Sequence, residues 1–280
     1  MKILITGSDG QLGLAFQRQN IGHDLVCYNR SALDIGDKEA VQSTVFNERP
    51  DVIVNCAAFT NVDGCETHVE EAMRINGTSV GFLSKAAKES NAKLVQISTD
   101  YVFDGRKQGP YLESDKPNPL SVYGKSKLLG EELAGEAALI VRTSWVMSSD
   151  GKNMLKTILH LLDGKEDLFF VDDQKGCPTF TDDLALTVLS LIEKDLSGIF
   201  HVTNGGAVSW YEFAVSIAQF LNVDVQRVKA ISTSELTPQR PAERPANSVL
   251  ANQALSDSEC ELLPHHLLSL ERLLEKMDSK

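Results

Sequence analysis

The sequence predicts an α/β fold: a Rossmann-like, doubly wound parallel sheet with a smaller C-terminal substrate-binding lobe. Two observations predict it. Short apolar runs alternate with helical segments through the first half of the chain, the pattern of right-handed βαβ units. The first run ends in Gly7-Ser8-Asp9-Gly10-Gln11-Leu12-Gly13, a G-x-x-G-x-x-G turn leading into a helix. Glycines there let backbone N–H groups approach a pyrophosphate at a helix N-terminus, where the dipole favours anions. A chain of 280 residues can bury a sizeable core around such a sheet.

The elements follow in order. Lys2 to Thr6 reads as a buried strand and Leu14 to Gln19 as the helix after the glycine turn. Asp24 to Tyr28 is a second strand, and Asp37 suits the N-cap of a helix from Lys38 to Asn47. Asp51 to Asn55 is a third strand, followed by Cys56-Ala57-Ala58-Phe59-Thr60, small enough to let a flat cofactor lie across strand ends. Thr67-His68-Val69-Glu70 has the form of a capping box opening a helix that carries Ala72, Met73 and Ile75, and a further helix spans Ser79 to Ser90. Lys93 to Ile97 is a fourth strand, and Pro119 heads a helix running to about Glu136. Leu139 to Val146 reads as one more strand, after which the alternation weakens. Later elements are a strand at Asp167 to Asp172, a polar loop at Asp173 to Thr179, and a helix from Asp182 to Lys194 capped by Thr181. A strand at Gly198 to Thr203 and a Ser209-to-Glu212 capping box opening a helix to Leu221 come next. Thr237 to Ser248 is a proline-rich fixed loop whose Arg240 and Arg244 suit phosphates. Leu267, Leu270, Leu274 and Met277 give the last helix a core face. Residues 1–148 with about 181–204 form the expected dinucleotide domain; about 149–180 and 205–280 form the expected lobe.

The candidate chemistry centres on Tyr123 and Lys127. Four residues apart on a helix, they share one face. An ammonium beside a phenol favours the phenolate and lowers the Tyr pKa; together with a bound cationic ring it would bring the phenol near neutrality, where it exchanges protons with a substrate oxygen. Thr99 closes the fourth strand and can hold a hydroxyl against the same oxygen. The second strand ends in Asn29-Arg30, without the carboxylate that grips an NAD ribose, and Arg30 can pair with a 2′-phosphate. That tilts the cofactor toward NADPH and leaves NADH open.

Composition narrows the classes. A net charge of −12 and a pI near 5.0 argue against a nucleic-acid or anionic-membrane surface. No apolar run reaches membrane-span length, and the chain enters a strand at once without a signal peptide, so a cytoplasmic protein is expected. Five cysteines without C-x-x-C spacing read as reduced thiols. Cys65, Glu66 and His68 lack the register of a zinc site, and no metal is expected.

The glycine turn, Asn55-Cys56-Ala57-Ala58, Ser98-Thr99-Asp100-Tyr101-Val102-Phe103 and Tyr123-x-x-x-Lys127, in this order, resemble the extended short-chain dehydrogenase/reductase superfamily. Gly10-Gln11-Leu12-Gly13, Arg142-Thr143-Ser144-Trp145-Val146, Asp173-Gln174-x-Gly176-x-Pro178-Thr179 and Arg244-Pro245-Ala246-Asn247-Ser248 resemble its dTDP-4-dehydrorhamnose reductase family. The resemblance covers about residues 1–250. It implies NAD(P)H-dependent reduction of the C4 keto group of a dTDP-4-keto-6-deoxy sugar to dTDP-L-rhamnose, for surface polysaccharide. Tyr123 would be the proton donor, Lys127 the ribose ligand that tunes it, and Thr99 the hydrogen-bonding partner of the carbonyl. Gly7, Gly10, Gln11, Leu12 and Gly13 would hold the pyrophosphate. Asn29, Arg30, Asp34, Ile35, Ala57, Ala58, Phe59, Thr60 and Ile97 would line the cofactor, and Trp145 and Arg244 would meet the substrate. The sequence departs from the family at Asn29, where an acidic residue is known, and at Met147, where an aromatic is common. Some members hold magnesium at a dimer interface through a Glu in the first helix; here that helix reads Leu14-Ala15-Phe16. A homodimer is left open. Two rival functions stay open: another nucleotide-sugar reductase or epimerase, and a non-catalytic regulator like that of methionine adenosyltransferase.

Overall fold

The computed structural model describes residues 1–278. Strand β1 (Lys2–Thr6) turns through the glycines into α1 (Gln11–Gln19), and β2 (Asp24–Tyr28) leads to α2 (Lys38–Glu48). The Asp37 side chain accepts from Ala40 N and caps α2, as expected. After β3 (Val52–Asn55) come two short helices, α3 (Val62–Thr67) and α4 (Val69–Met73), then a π-helical turn at Arg74–Thr78 and α5 (Ser79–Glu89). Strand β4 (Lys93–Thr99) precedes α6 (Val122–Ala134) and β5 (Leu139–Thr143).

Strands β1 to β5 lie with β10 (Gly198–His201) in one six-stranded sheet of order β10-β5-β4-β3-β1-β2, every pair parallel. Their near-continuous Val/Ile/Leu runs suit strands covered on both faces, and every residue of β3 and β5 is buried. One face packs Ile3, Ile5, Phe16, Val54, Val141 and Leu184 with their neighbours; the other packs Leu4, Ile53, Leu83, Leu94 and Ile140 under α2 and α5. The strand order reverses between β1 and β3, so their carboxyl ends open a crevice at a topological switch point.

The second half adds short pieces: β6 (Val146–Met147), α7 (Met154–Asp163), β7 (Leu168–Val171), β8 (Lys175–Gly176) and β9 (Thr179–Phe180). Helix α8 (Thr181–Glu193) returns to the main sheet ahead of β10. Then follow β11 (Val208–Ser209), α9 (Trp210–Phe220), β12 (Val228–Ile231), α10 (Gln253–Asp257) and α11 (His266–Asp278). A separate core of Met147, Leu155, Ile158, Phe170, Phe213, Ile217 and Leu270 holds the lobe. Leu255, Cys260 and Leu263 leave that lobe and pack with the main sheet.

Several local readings are corrected. The helix expected after Thr67 is present as α4, but its N-cap is His68: the Thr67 hydroxyl donates to the Gly64 carbonyl at the end of α3, a helix capped by Asn61 that the sequence pattern does not reveal. Pro119 lies ahead of α6, whose cap is Ser121, accepting from Gly124 N at 3.2 Å. Thr181 is the first residue of α8 and not its cap. The strand read through Val146 breaks after Thr143, because Trp145 takes a left-handed backbone (φ 45°). The capping box at Ser209 and Glu212 is present as read.

Candidate active site

Along the crevice runs a cleft of about 810 Å³, continuing from the glycine turn to the lobe. Gly7 has φ 61°, and a Cβ added there would meet Ala57 N at 2.7 Å; one on Gly13 would lie 2.6 Å from both Gly7 O and Ser8 Cα. Neither position has room for a side chain, so β1, the turn and α1 pack backbone against backbone, which sets the head of α1 at the crevice as a helix N-terminus suited to a pyrophosphate. The floor is fixed by side-chain pairs that no local spacing reveals. Asn55 accepts from the Thr6 hydroxyl at 2.6 Å and donates to Gln96 at 2.7 Å. Asn76, in the π-helical turn, accepts from Phe59 N at 2.7 Å and donates to Ser126 at 3.0 Å, tying the Ala57–Thr60 segment to α6. Unwinding of this kind inside a helix is frequent at functional sites.

Every predicted cofactor and substrate residue lines this cleft except Asn29. The Asn29 carboxamide oxygen accepts from the Ser31 hydroxyl and Ala32 N, so its polar end is used within its own turn. Arg30 is exposed beside Glu71 at 3.4 Å.

Tyr123 and Lys127 lie on the inner face of α6. Gly124 lets the head of that helix press on Tyr101, whose carbonyl would stand 2.2 Å from an added Cβ. Lys127 is buried and donates from Nζ to the Ile97 carbonyl at 2.5 Å. Burial pushes its pKa down to about 8, against the pull of Glu131. The Tyr123 phenol is pushed up by burial, opposed by the Thr99 hydroxyl beside it and reinforced by Asp100. The expectation that the lysine lowers the phenol is therefore corrected for the protein alone: desolvation governs both groups. Thr99 donates to Asp100 Oδ1 at 2.9 Å and accepts from Tyr101 N at 3.2 Å. Burial raises the Asp100 carboxyl to about 6, against the pull of the Ser248 and Thr99 hydroxyls.

At the lobe end, Trp145 stacks on Trp210 from α9 with ring centroids 3.5 Å apart and planes 3° apart. Trp210 is not legible as a site residue in the sequence, since a residue opening a helix carries no sign of what it stacks on. Arg244 pairs with Asp63 through two contacts of 3.0 and 2.8 Å and so reaches the cleft already oriented. Among the described residues no group of three or more His, Cys, Asp or Glu could hold a metal ion.

The model of the RmlD substrate binding domain family matches residues 1–279. The chain belongs to this family. A dTDP-4-dehydrorhamnose reductase of Aggregatibacter actinomycetemcomitans is 40% identical over 266 residues, covering 89% of this chain and 90% of that protein. The crystal structure of a dTDP-4-dehydrorhamnose reductase from Clostridium acetobutylicum superposes with a TM-score of 0.95 at 40% identity, over 99% of this chain and 100% of that one. The reductase from Bacillus anthracis, solved in complex with NADP, gives a TM-score of 0.94 at 36% identity over 98% and 99%. Members of the family thus share this fold through nearly the whole chain.

Proposed function

We propose that this protein reduces the C4 keto group of dTDP-4-dehydrorhamnose with NAD(P)H, giving dTDP-L-rhamnose for surface polysaccharide. The observation that carries the reading is a cleft joining a glycine cradle for a dinucleotide to a tyrosine, lysine and threonine set. Relatives at 35–40% identity are named for this activity. When bound, the reduced nicotinamide supplies the hydride. The glycine turn would hold its pyrophosphate, and Lys127 its ribose. NADPH is slightly favoured: no carboxylate ends β2, Arg30 borders the cleft, and the Bacillus anthracis relative was solved with NADP.

Tyr123 supplies the proton. Its raised pKa keeps the phenol protonated at neutral pH, the form a donor needs. Alkoxide development is the costly part of carbonyl reduction, and a donor fixed beside that oxygen meets the charge as it forms. Thr99, pinned by Asp100, sets the position of the Tyr123 hydroxyl and of the sugar oxygen between them. Trp145 would bound the sugar pocket, and Arg244, held by Asp63, would face the diphosphate. Residues 1–148 with about 181–204 would bind the cofactor; about 149–180 and 205–280 would bind the sugar nucleotide.

Among the described residues no helix is long and apolar enough to cross a membrane. We place the enzyme in the cytoplasm, which suits its five free thiols. A homodimer is the assembly to test, by sedimentation. The activity is tested by following cofactor oxidation with dTDP-, GDP- and UDP-linked 4-keto-6-deoxy sugars. Turnover with the dTDP sugar alone is expected. Bound cofactor without turnover of any of them would instead indicate a binding module.

A further inference from the structure

Behind the proton donor lies a buried ion pair, Glu131 with Arg142, outside the residues that line the cleft. Glu131 follows Lys127 by one turn of α6, so the two side chains are neighbours on one helix face. Glu131 Oε1 accepts from the Ser98 hydroxyl at 2.5 Å and from Arg142 Nε at 2.9 Å; its Oε2 accepts from Arg142 Nη2 at 2.7 Å. Lys127, Glu131 and Arg142 are 3%, 6% and 1% exposed. Ser98 stands in β4 between Ile97, whose carbonyl anchors Lys127, and Thr99. The carboxylate therefore grips the strand at the one residue flanked by both contact points of the active site.

A buried ion pair is weak support for stability, because desolvating two charges offsets most of their attraction. Its place needs another reason, and the lysine provides one. Glu131 is the carboxylate that favours the lysine's charge, whereas burial opposes it. The remaining groups are accounted for. The Cys56 thiol near the end of β3 is pushed up by burial and stays neutral. His201 in β10 faces Arg142 Nη1 at 3.5 Å, and burial lowers it to about 3, so it adds no charge at neutral pH. Arg142 lies beyond the carboxylate and over the Phe103 ring.

We infer that Glu131 is a positioning residue for the Tyr123–Lys127 pair, with Arg142 holding its carboxylate: it fixes Ser98 and thereby Thr99 against α6, and it keeps Lys127 charged. This rests on the reading of that pair as the proton-donating machinery. The carboxylate behind the lysine, held in place by Arg142, lets a buried ammonium persist without a counter-ion in the cleft, where one would compete with substrate.

The test is the pH profile of kcat/KM. The paired Glu131→Leu/Arg142→Met variant removes both charges and leaves a neutral, filled interior, a replacement that buried pairs often tolerate. Far-UV circular dichroism and the thermal midpoint report its folding. The expected result is a folded protein whose alkaline limb moves to lower pH by about one unit, with weakened cofactor binding at pH 8 measured by fluorescence titration. If the paired variant does not fold, Glu131→Gln is read the same way, because an apparent pKa does not depend on the fraction of protein folded. A folded variant with the wild-type profile and wild-type cofactor affinity overturns the inference. A wild-type protein that turns over no keto-sugar defeats the underlying reading instead, while the cofactor titration still reports on Glu131.

Discussion

In the proposed reduction Tyr123 keeps its proton until the sugar oxygen begins to carry charge, and burial raises its pKa in the direction that requires. Tyr123→Phe removes the donor with little loss of binding surface. It should lower kcat by about 10²–10⁴-fold, the usual contribution of a positioned acid, while the dissociation constant of the cofactor stays nearly unchanged. Steady-state kinetics and fluorescence titration check both halves, and a variant retaining most of its kcat would require another acid. Asp100 carries the opposite kind of cost. Its folded pKa, near 6, lies above the ordinary 3.8, so the folded state binds the proton more tightly. The carboxylate is thus a liability above pH 6, and stability recovers as pH falls from 6 toward 4. Asp100→Asn should raise the thermal midpoint at pH 7.5 by roughly 2–4 °C for each kcal/mol relieved. The gain should shrink at pH 4.5, where wild type is itself protonated. An equal gain at both pH values would show that ionisation of Asp100 is not what the fold bears. Activity should fall in the same variant, because Thr99 loses a charged anchor.

At the scale of elements, the glycine turn shows why a short motif can be legible in the sequence alone. Gly13 sits where an added Cβ would meet two backbone atoms at 2.6 Å, and backbone cannot step aside as a flexible side chain can. Gly13→Ala should force α1 away from β1, weakening cofactor affinity more than tenfold and costing about 1–3 kcal/mol of stability, as overpacking does. Calorimetric titration and denaturant unfolding measure these, and an unchanged affinity would mean the cradle does not hold the pyrophosphate. Local determinants of this kind are what a sequence displays. The strands of the main sheet announce themselves by apolar runs, and α9 by its Ser209–Glu212 box. Helix α3 is hidden because six residues give too little periodicity, and its Asn61 cap looks like any loop asparagine. Lys127 and Tyr123 share a helix face and so can be paired from spacing alone. Glu131 with Arg142, Trp145 with Trp210, and Asp63 with Arg244 join residues from distant elements, and no local pattern encodes those meetings.

For the molecule as a whole, the proposed reaction requires the cradle and the lobe to present cofactor and substrate to one another at fixed distance. The structure ties them through the segment that follows β6. Asn153 donates to Gln11 Oε1 at 2.9 Å and to Ser148 O at 2.7 Å, while Gln11 donates to Lys152 O at 3.4 Å. Arg18, farther along α1, pairs with Asp150 of the same segment and with Asp182 of α8 at 2.9 Å. The N-terminal end of α1 is therefore linked to the first helix of the lobe, α7, which Asn153 caps by accepting from Lys156 N at 3.1 Å. Removing Asn153 loses a cap worth about 1 kcal/mol as well as the tie, so a single variant cannot separate the two. A double-mutant cycle can. Gln11→Ala breaks the tie from the cradle side and leaves the cap intact. If the link transmits order between the sites, each single variant should raise the KM of the sugar nucleotide, and the double variant should raise it by less than the product of the two. The expected coupling is about 0.5–3 kcal/mol, as for residues in direct contact. Effects on KM that multiply, leaving coupling within about 0.3–0.5 kcal/mol of zero, would mean that the two halves of the cleft are assembled independently.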